Sequence, residues 1–221
     1  MIRQSFGHAA VLAAALAMFG SEAGAAIVNV TVNGVVDFNV IQGNQAGIPS
    51  GSPVQMSFNV DSNVYTNSGS FPTRGYNVIL NSFSMTVGGA PINIVDPQPP
   101  VYFVLRDNDP AVDGFFLSSN SVDFPFPAQV TIPGLAPVHD LDFLATYGSN
   151  TVLSSLNILD AVGTYDLTGI SSYGWTVGRF GNAGAEYAYQ SMTISVVPAP
   201  GVLALGLLAG VISPARRRRR V

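Results

Sequence analysis

The chain has 221 residues, with nine basic and thirteen acidic side chains, 23 glycines, 15 prolines and no cysteine. That length supports one core of ordinary size, and without cysteine the core cannot be held by disulfides. Lysine is absent, and between residues 26 and 197 only Arg74, Arg106 and Arg179 stand against twelve carboxylates, about −9 overall, which excludes nucleic acid and anionic membrane surfaces as partners of this stretch.

At the amino end, Arg3 precedes an apolar run from Ala9 to Phe19 and the small residues Ala23-Gly24-Ala25. A charged start, a short greasy segment and a small-residue cleavage point predict a signal peptide over residues 1–25, cut after Ala25 by signal peptidase. The body is then expected outside the cytosol.

From Val28 onward the hydrophobic pattern has period two. Val28, Val30 and Val32 alternate with Asn29, Thr31 and Asn33, and the parity continues past Gly34 through Val36, Phe38 and Val40, a half-buried strand bent at the glycine. Val54 to Val60 and Phe83 to Val87 repeat it. Gly88-Gly89 before Ile92–Val95 marks a hairpin, because both glycines accept positive φ. Val101 to Leu105, Val130 to Ile132, Leu141 to Thr146 and Met192 to Val196 complete the set. Prolines and glycines punctuate these runs every ten residues or so, and only Leu153–Leu159 offers room for a helix. The expected fold is all-β: one antiparallel β-sandwich, jelly-roll-like, over residues 26–196, with a barrel as the less favoured closure.

Three clusters within the body carry polar chemistry. Asp107-Asn108-Asp109-Pro110 and Asp113-Gly114 place hard oxygen ligands at alternate positions, a pattern that suits calcium through Asp107, Asp109 and Asp113. The spacing is not that of an EF-hand, and Asx residues also build plain turns, the preferred reading here. His139-Asp140-Leu141-Asp142 holds the body's one histidine, so any histidine-dependent hydrolysis must use His139 with Asp140 or Asp142, yet no G-x-S-x-G elbow accompanies it and a solvated histidine is expected. Tyr173 and Trp175 in Ser-Tyr-Gly-Trp, with Tyr187 and Tyr189 on one strand face, provide aromatic platforms of the kind that stack on sugars. For Trp175, core packing is the preferred alternative.

The carboxyl end has a different order: Val197-Pro198-Ala199-Pro200, an apolar run from Gly201 to Ser213, and the arginines Arg216, Arg217, Arg218, Arg219 and Arg220. Thirteen helical residues reach only about 20 Å, short of a hydrocarbon core of about 30 Å, and snorkelling guanidinium groups make up part of the difference. Basic clusters collect on the cytoplasmic side, so a stop-transfer helix with a cytoplasmic carboxyl terminus is expected. Gly206 and Gly210 add a GxxxG spacing within it.

A signal peptide, one exported domain, then Val-Pro-x-Pro, a short Gly/Ala/Leu helix and a terminal arginine cluster resembles the PEP-CTERM sorting proteins of Gram-negative bacteria. The matching stretch, Val197 to Arg220, is about a tenth of the chain. The resemblance implies that residues 197–221 are a sorting tail and that Val197, Pro198, Ala199 and Pro200 are the substrate of an exosortase-like membrane enzyme. Ala199 stands where that family usually has glutamate. The same resemblance implies a transient inner-membrane anchor, then residence in the envelope, at the cell surface or in the matrix. A structural or adhesive protein associated with exopolysaccharide is the expected function, with no catalytic residues and no required cofactor. A carbohydrate-binding module, with or without calcium, is the alternative, and an exported hydrolase ranks last.

Overall fold

The computed structural model describes residues 25–136, 138–179 and 182–198. Residues 1–24 of the expected signal peptide, Ala199 and Pro200, the apolar run from Gly201 to Ser213 and Arg216 to Arg220 lie outside the described residues. Among the described residues the regular structure is eleven strands, all paired antiparallel, and one 3-10 turn at Gly43–Gln45, with no α-helix.

Strand β1 (Ile27–Asn39) follows the expected alternation as far as Val36; past the register shift at Asp37 the parity breaks, and Phe38 and Val40 are exposed instead of buried. Val28, Val30, Val32 and Val36 point inward and are buried, while Asn29, Thr31 and Asn33 lie on the outer face. It pairs on one side with β2 (Pro53–Asn67) and on the other with β11 (Asn182–Val196). The outer polar residues link to one another: Asn29 Nδ2 donates to Asn59 Oδ1 at 2.9 Å and to Ser57 Oγ at 3.1 Å, and the Thr31 hydroxyl donates to Asn29 Oδ1 at 2.9 Å. On this ladder the outward side chains are thus amides and hydroxyls over an apolar interior.

The expected bend at Gly34 is present. The β1–β11 register shifts between Asn33 and Gly34, and a Cβ on Gly34 would lie 2.4 Å from the Ala188 carbonyl oxygen and 2.9 Å from Trp175 Cζ3. Only a residue without a side chain admits β11 and the indole this closely. The expected hairpin is present too: β3 (Thr73–Val87) turns into β4 (Ala90–Ile94) through Gly88 at φ 57° and Gly89 at φ 86°, with Val87 opposite Ala90.

The sandwich expectation is corrected: the sheet closes on itself as an eight-strand barrel. Remaining strands are β5 (Val101–Arg106), β6 (Asp113–Ser119), β7 (Ala128–Thr131), β8 (His139–Tyr147), β9 (Gly163–Asp166) and β10 (Ile170–Arg179). The circuit runs β10-β11-β1-β2-β3-β4-β7-β8 and returns through the β8–β10 ladder. The cause is strand length. β3 has 15 residues and pairs with β5 through Thr73–Asn77 but with β4 through Met85–Val87. β8 likewise pairs with β7 near His139 and with β6 near Tyr147. Long strands that change partners along their length curl a sheet until its edges meet, and closure removes the exposed edges that a sandwich keeps.

The interior is filled by rings. Phe103 lies 5.5 Å from Phe58 and 5.8 Å from Phe115, Phe115 lies 4.7 Å from Tyr165, and Trp175 lies 6.0 Å from Phe143 and 5.4 Å from Tyr187. An eight-strand barrel is just narrow enough for such side chains to fill it. The segment Leu153–Leu159, where the sequence leaves room for a helix, is an irregular loop. Ser155 Oγ and Asn157 Oδ1 accept from the backbone N–H groups of Asn157 and Leu159, local bonds that compete with helix formation. Buried Tyr76 fastens this loop, its hydroxyl donating to Leu156 O at 2.7 Å and accepting from Ile158 N at 2.9 Å.

The two ends of the barrel chain meet. Val28 is opposite Val196, and Val197 N donates to Ile27 O at 2.8 Å.

Candidate functional site

The aspartate cluster is a backbone clamp. Asp113 opens β6 and is fully buried; one carboxylate oxygen accepts from Asn108 N at 3.0 Å, and the other from Val152 N and Leu153 N at 2.8 Å each. Both oxygens are thus committed to joining the 107–113 turn to the 149–153 loop. Asn108 Nδ2 holds Asp107 Oδ1 at 2.7 Å, and burial, together with the nearby Asp113 charge, raises the Asp107 carboxyl above its usual range. Among the described residues no group of three acidic or histidine side chains is arranged to hold a metal ion. These bonds are those of the turn preferred for this stretch over calcium ligation by Asp107, Asp109 and Asp113: both Asp113 oxygens already accept from backbone N–H groups.

His139 is buried, not solvated as expected. It begins β8 opposite Val130 of β7, faces inward with Leu141 and Phe143, and its Nδ1 has no hydrogen-bond partner among the described residues. Asp140 and Asp142 alternate onto the outer face of the same strand. Period two separates them from the imidazole, so neither orients it for proton transfer. Burial and the adjacent Asp140 charge raise the Asp142 carboxyl.

The aromatic cluster divides between interior and surface. Trp175 is 1 % exposed and cannot offer a ring face to a ligand, whereas Tyr173 is 45 % exposed. Both lie where the barrel wall opens. The β10–β11 ladder runs from Arg179 opposite Asn182 only to Thr176 opposite Glu186; further along β11, β9 takes over from Ser191 to Ile194. Between these ladders is a cleft of about 370 Å³, bordered by Tyr173, Gly174, Trp175, Glu186, Tyr187 and Ala188. Asp37 completes it from β1, at a register shift that sets Val36 opposite Tyr187 and Phe38 opposite Glu186 and leaves Asp37 as the extra residue.

Behind the cleft, Trp175 Nε1 and the Tyr187 hydroxyl are buried without hydrogen-bond partners among the described residues. Burial pushes the Tyr187 phenol well above its ordinary pKa. Tyr189 next to it is satisfied, donating to Tyr165 O at 2.8 Å, and its ring lies 6.2 Å from that of Tyr173. The cleft thus sets one exposed ring and two carboxylates together.

Sequence reasoning singled out Tyr173 but not Asp37 or Glu186, which occur 149 positions apart and come together only through the β1–β11 register. Comparison with family models, with curated proteins and with solved structures finds no match to this chain.

Proposed function

We propose that this chain is an exported surface or matrix protein, held for a time in the inner membrane by its carboxyl tail, processed there at Val197-Pro198-Ala199-Pro200 by an exosortase-like enzyme, and then associated with exopolysaccharide. One observation carries the reading. The first strand begins at Ile27 and the last ends at Val196, paired with each other, which supports a folded body between two removable ends. Ile27 and Val197 stand side by side, and neither removal of residues 1–25 nor cutting near Pro198 takes a strand from the wall. A body whose core is complete without either end survives both cleavages, and Pro198, past the Val197 N–H bond to Ile27 O, is exposed.

An acidic outer surface without lysine, carrying a cleft with an aromatic platform, suits adhesion to a hydroxylated polymer better than catalysis. Topology tests the reading. A reporter active only after export is expected to be silent when fused after Val221 and active when fused after Val197. Activity of the Val221 fusion outside the cytosol contradicts the anchor orientation.

A further inference from the structure

The Tyr173 cleft has a neighbour. On the other side of β10, Gly174 and Thr176 also border a second outer cleft of about 220 Å³, closed by Asp142 and Leu144 of β8 and by Pro125. Gly174 is the saddle between the two. A Cβ there would meet only Leu144 Cδ2, at 3.7 Å, and the backbone is not in the left-handed region, so neither packing nor conformation requires glycine. At Gly174 the border that the two clefts share carries no side chain.

We infer that the two clefts form one groove that binds a segment of an extended, uncharged or amino-sugar polysaccharide, lying across β8, β10, β11 and β1. The inference deepens the exopolysaccharide reading above and rests on it. Three interstrand steps, about 4.8 Å where the strands pair and wider where β10 and β11 part, give the groove at least roughly 14 Å of length, matching a short oligosaccharide better than a single sugar. Tyr173, on the inward side of β10 with Trp175 and beside Tyr189, offers an exposed ring at the wall opening in the middle of the path, and Asp142 at one end with Glu186 and Asp37 at the other supply acceptors for hydroxyl or ammonium groups. A body of about −9 charge disfavours a uronate-rich chain in the same groove. Asp37 and Glu186 each lie ten residues along their strands from Ile27 and Val196, so at about 3.3 Å per residue the groove is roughly 30 Å from the end that leads to the tail. An anchored molecule presents it outward.

Titration calorimetry of the purified full chain with cello-, manno- and chito-oligosaccharides from disaccharide to hexasaccharide, and with oligomannuronate, tests the inference. Saturable binding to a neutral or amino-sugar series is expected, tightening with chain length. Tyr173→Ala is expected to weaken it at least tenfold, and Gly174→Val to abolish the gain with length while leaving the melting temperature unchanged. No saturable binding to any neutral or amino-sugar series, indifference to both substitutions, or equal affinity for oligomannuronate overturns it. Surface localisation of the same variants separates the two readings: binding lost with localisation intact confirms the groove, whereas binding intact in a protein that never reaches the surface sinks the sorting account and spares the groove.

Discussion

Replacing Asp113 by alanine decides between a structural clamp and a calcium ligand. The carboxylate accepts three backbone N–H bonds, at 3.0, 2.8 and 2.8 Å, from two separate loops, and the residue is 0 % exposed. Truncation leaves those donors without partners, and each orphaned buried group costs about 1–3 kcal/mol. Water can reach the two partly buried donors, so a loss of about 3–5 kcal/mol is expected, on the order of 10 °C in melting temperature for a domain of this size. Asp113→Asn keeps one acceptor oxygen and should lose about half as much. Urea denaturation with and without millimolar calcium reads both effects. The clamp predicts a large loss in the variant and no calcium effect on the wild type. A loss below about 1 kcal/mol, or calcium stabilisation that disappears with Asp113, refutes it.

Three further outcomes are expected. Gly34→Ala forces its Cβ against the Ala188 carbonyl oxygen and Trp175, and should cost about 1–3 kcal/mol in chemical denaturation, whereas Gly163→Ala, with nothing within 4 Å, should stay within about 0.5 kcal/mol. The single tryptophan, Trp175, should emit as a buried indole, resist aqueous quenchers and shift to the red only on unfolding; quenching in the native protein contradicts its burial. Burial raises the Tyr165 phenol from 10.0 to about 12 and pushes Tyr187 and Tyr189 higher still. A folded-state pKa above the unfolded value favours the neutral phenol, so this contribution is complete below pH 10 and is lost as pH rises through 12. Stability measured by denaturant should fall across that interval, and Tyr165→Phe should flatten the fall; equal slopes in the two proteins contradict the assignment.

Alternation of Val28 to Val36 and of Val54 to Val60 reveals strands because one face is wet, and Gly88-Gly89 reveals its hairpin because only glycine is at ease there. β6 is not legible: from Asp113 to Ser118 every residue is buried, since the 120–126 segment covers its outer face and Ser118 Oγ donates to Phe124 O at 2.7 Å. A strand wet on neither face has no alternation to read. Closure is equally hidden, because it depends on β3 and β8 changing partners midway, which is a property of pairing and not of any one segment. The candidate site shares that difficulty. Tyr173 stands out as a residue, but Asp37 becomes part of the site only through a bulge, and Gly174 acquires meaning only once clefts are seen on both sides of it.

The most direct test of the whole account is the intact mass of the protein recovered from extracellular matrix. A species beginning at Ala26 and ending near Pro198, with or without an added group, is the predicted result. Matrix material that retains Arg216 to Arg220, or the leader ahead of Ala26, contradicts the account.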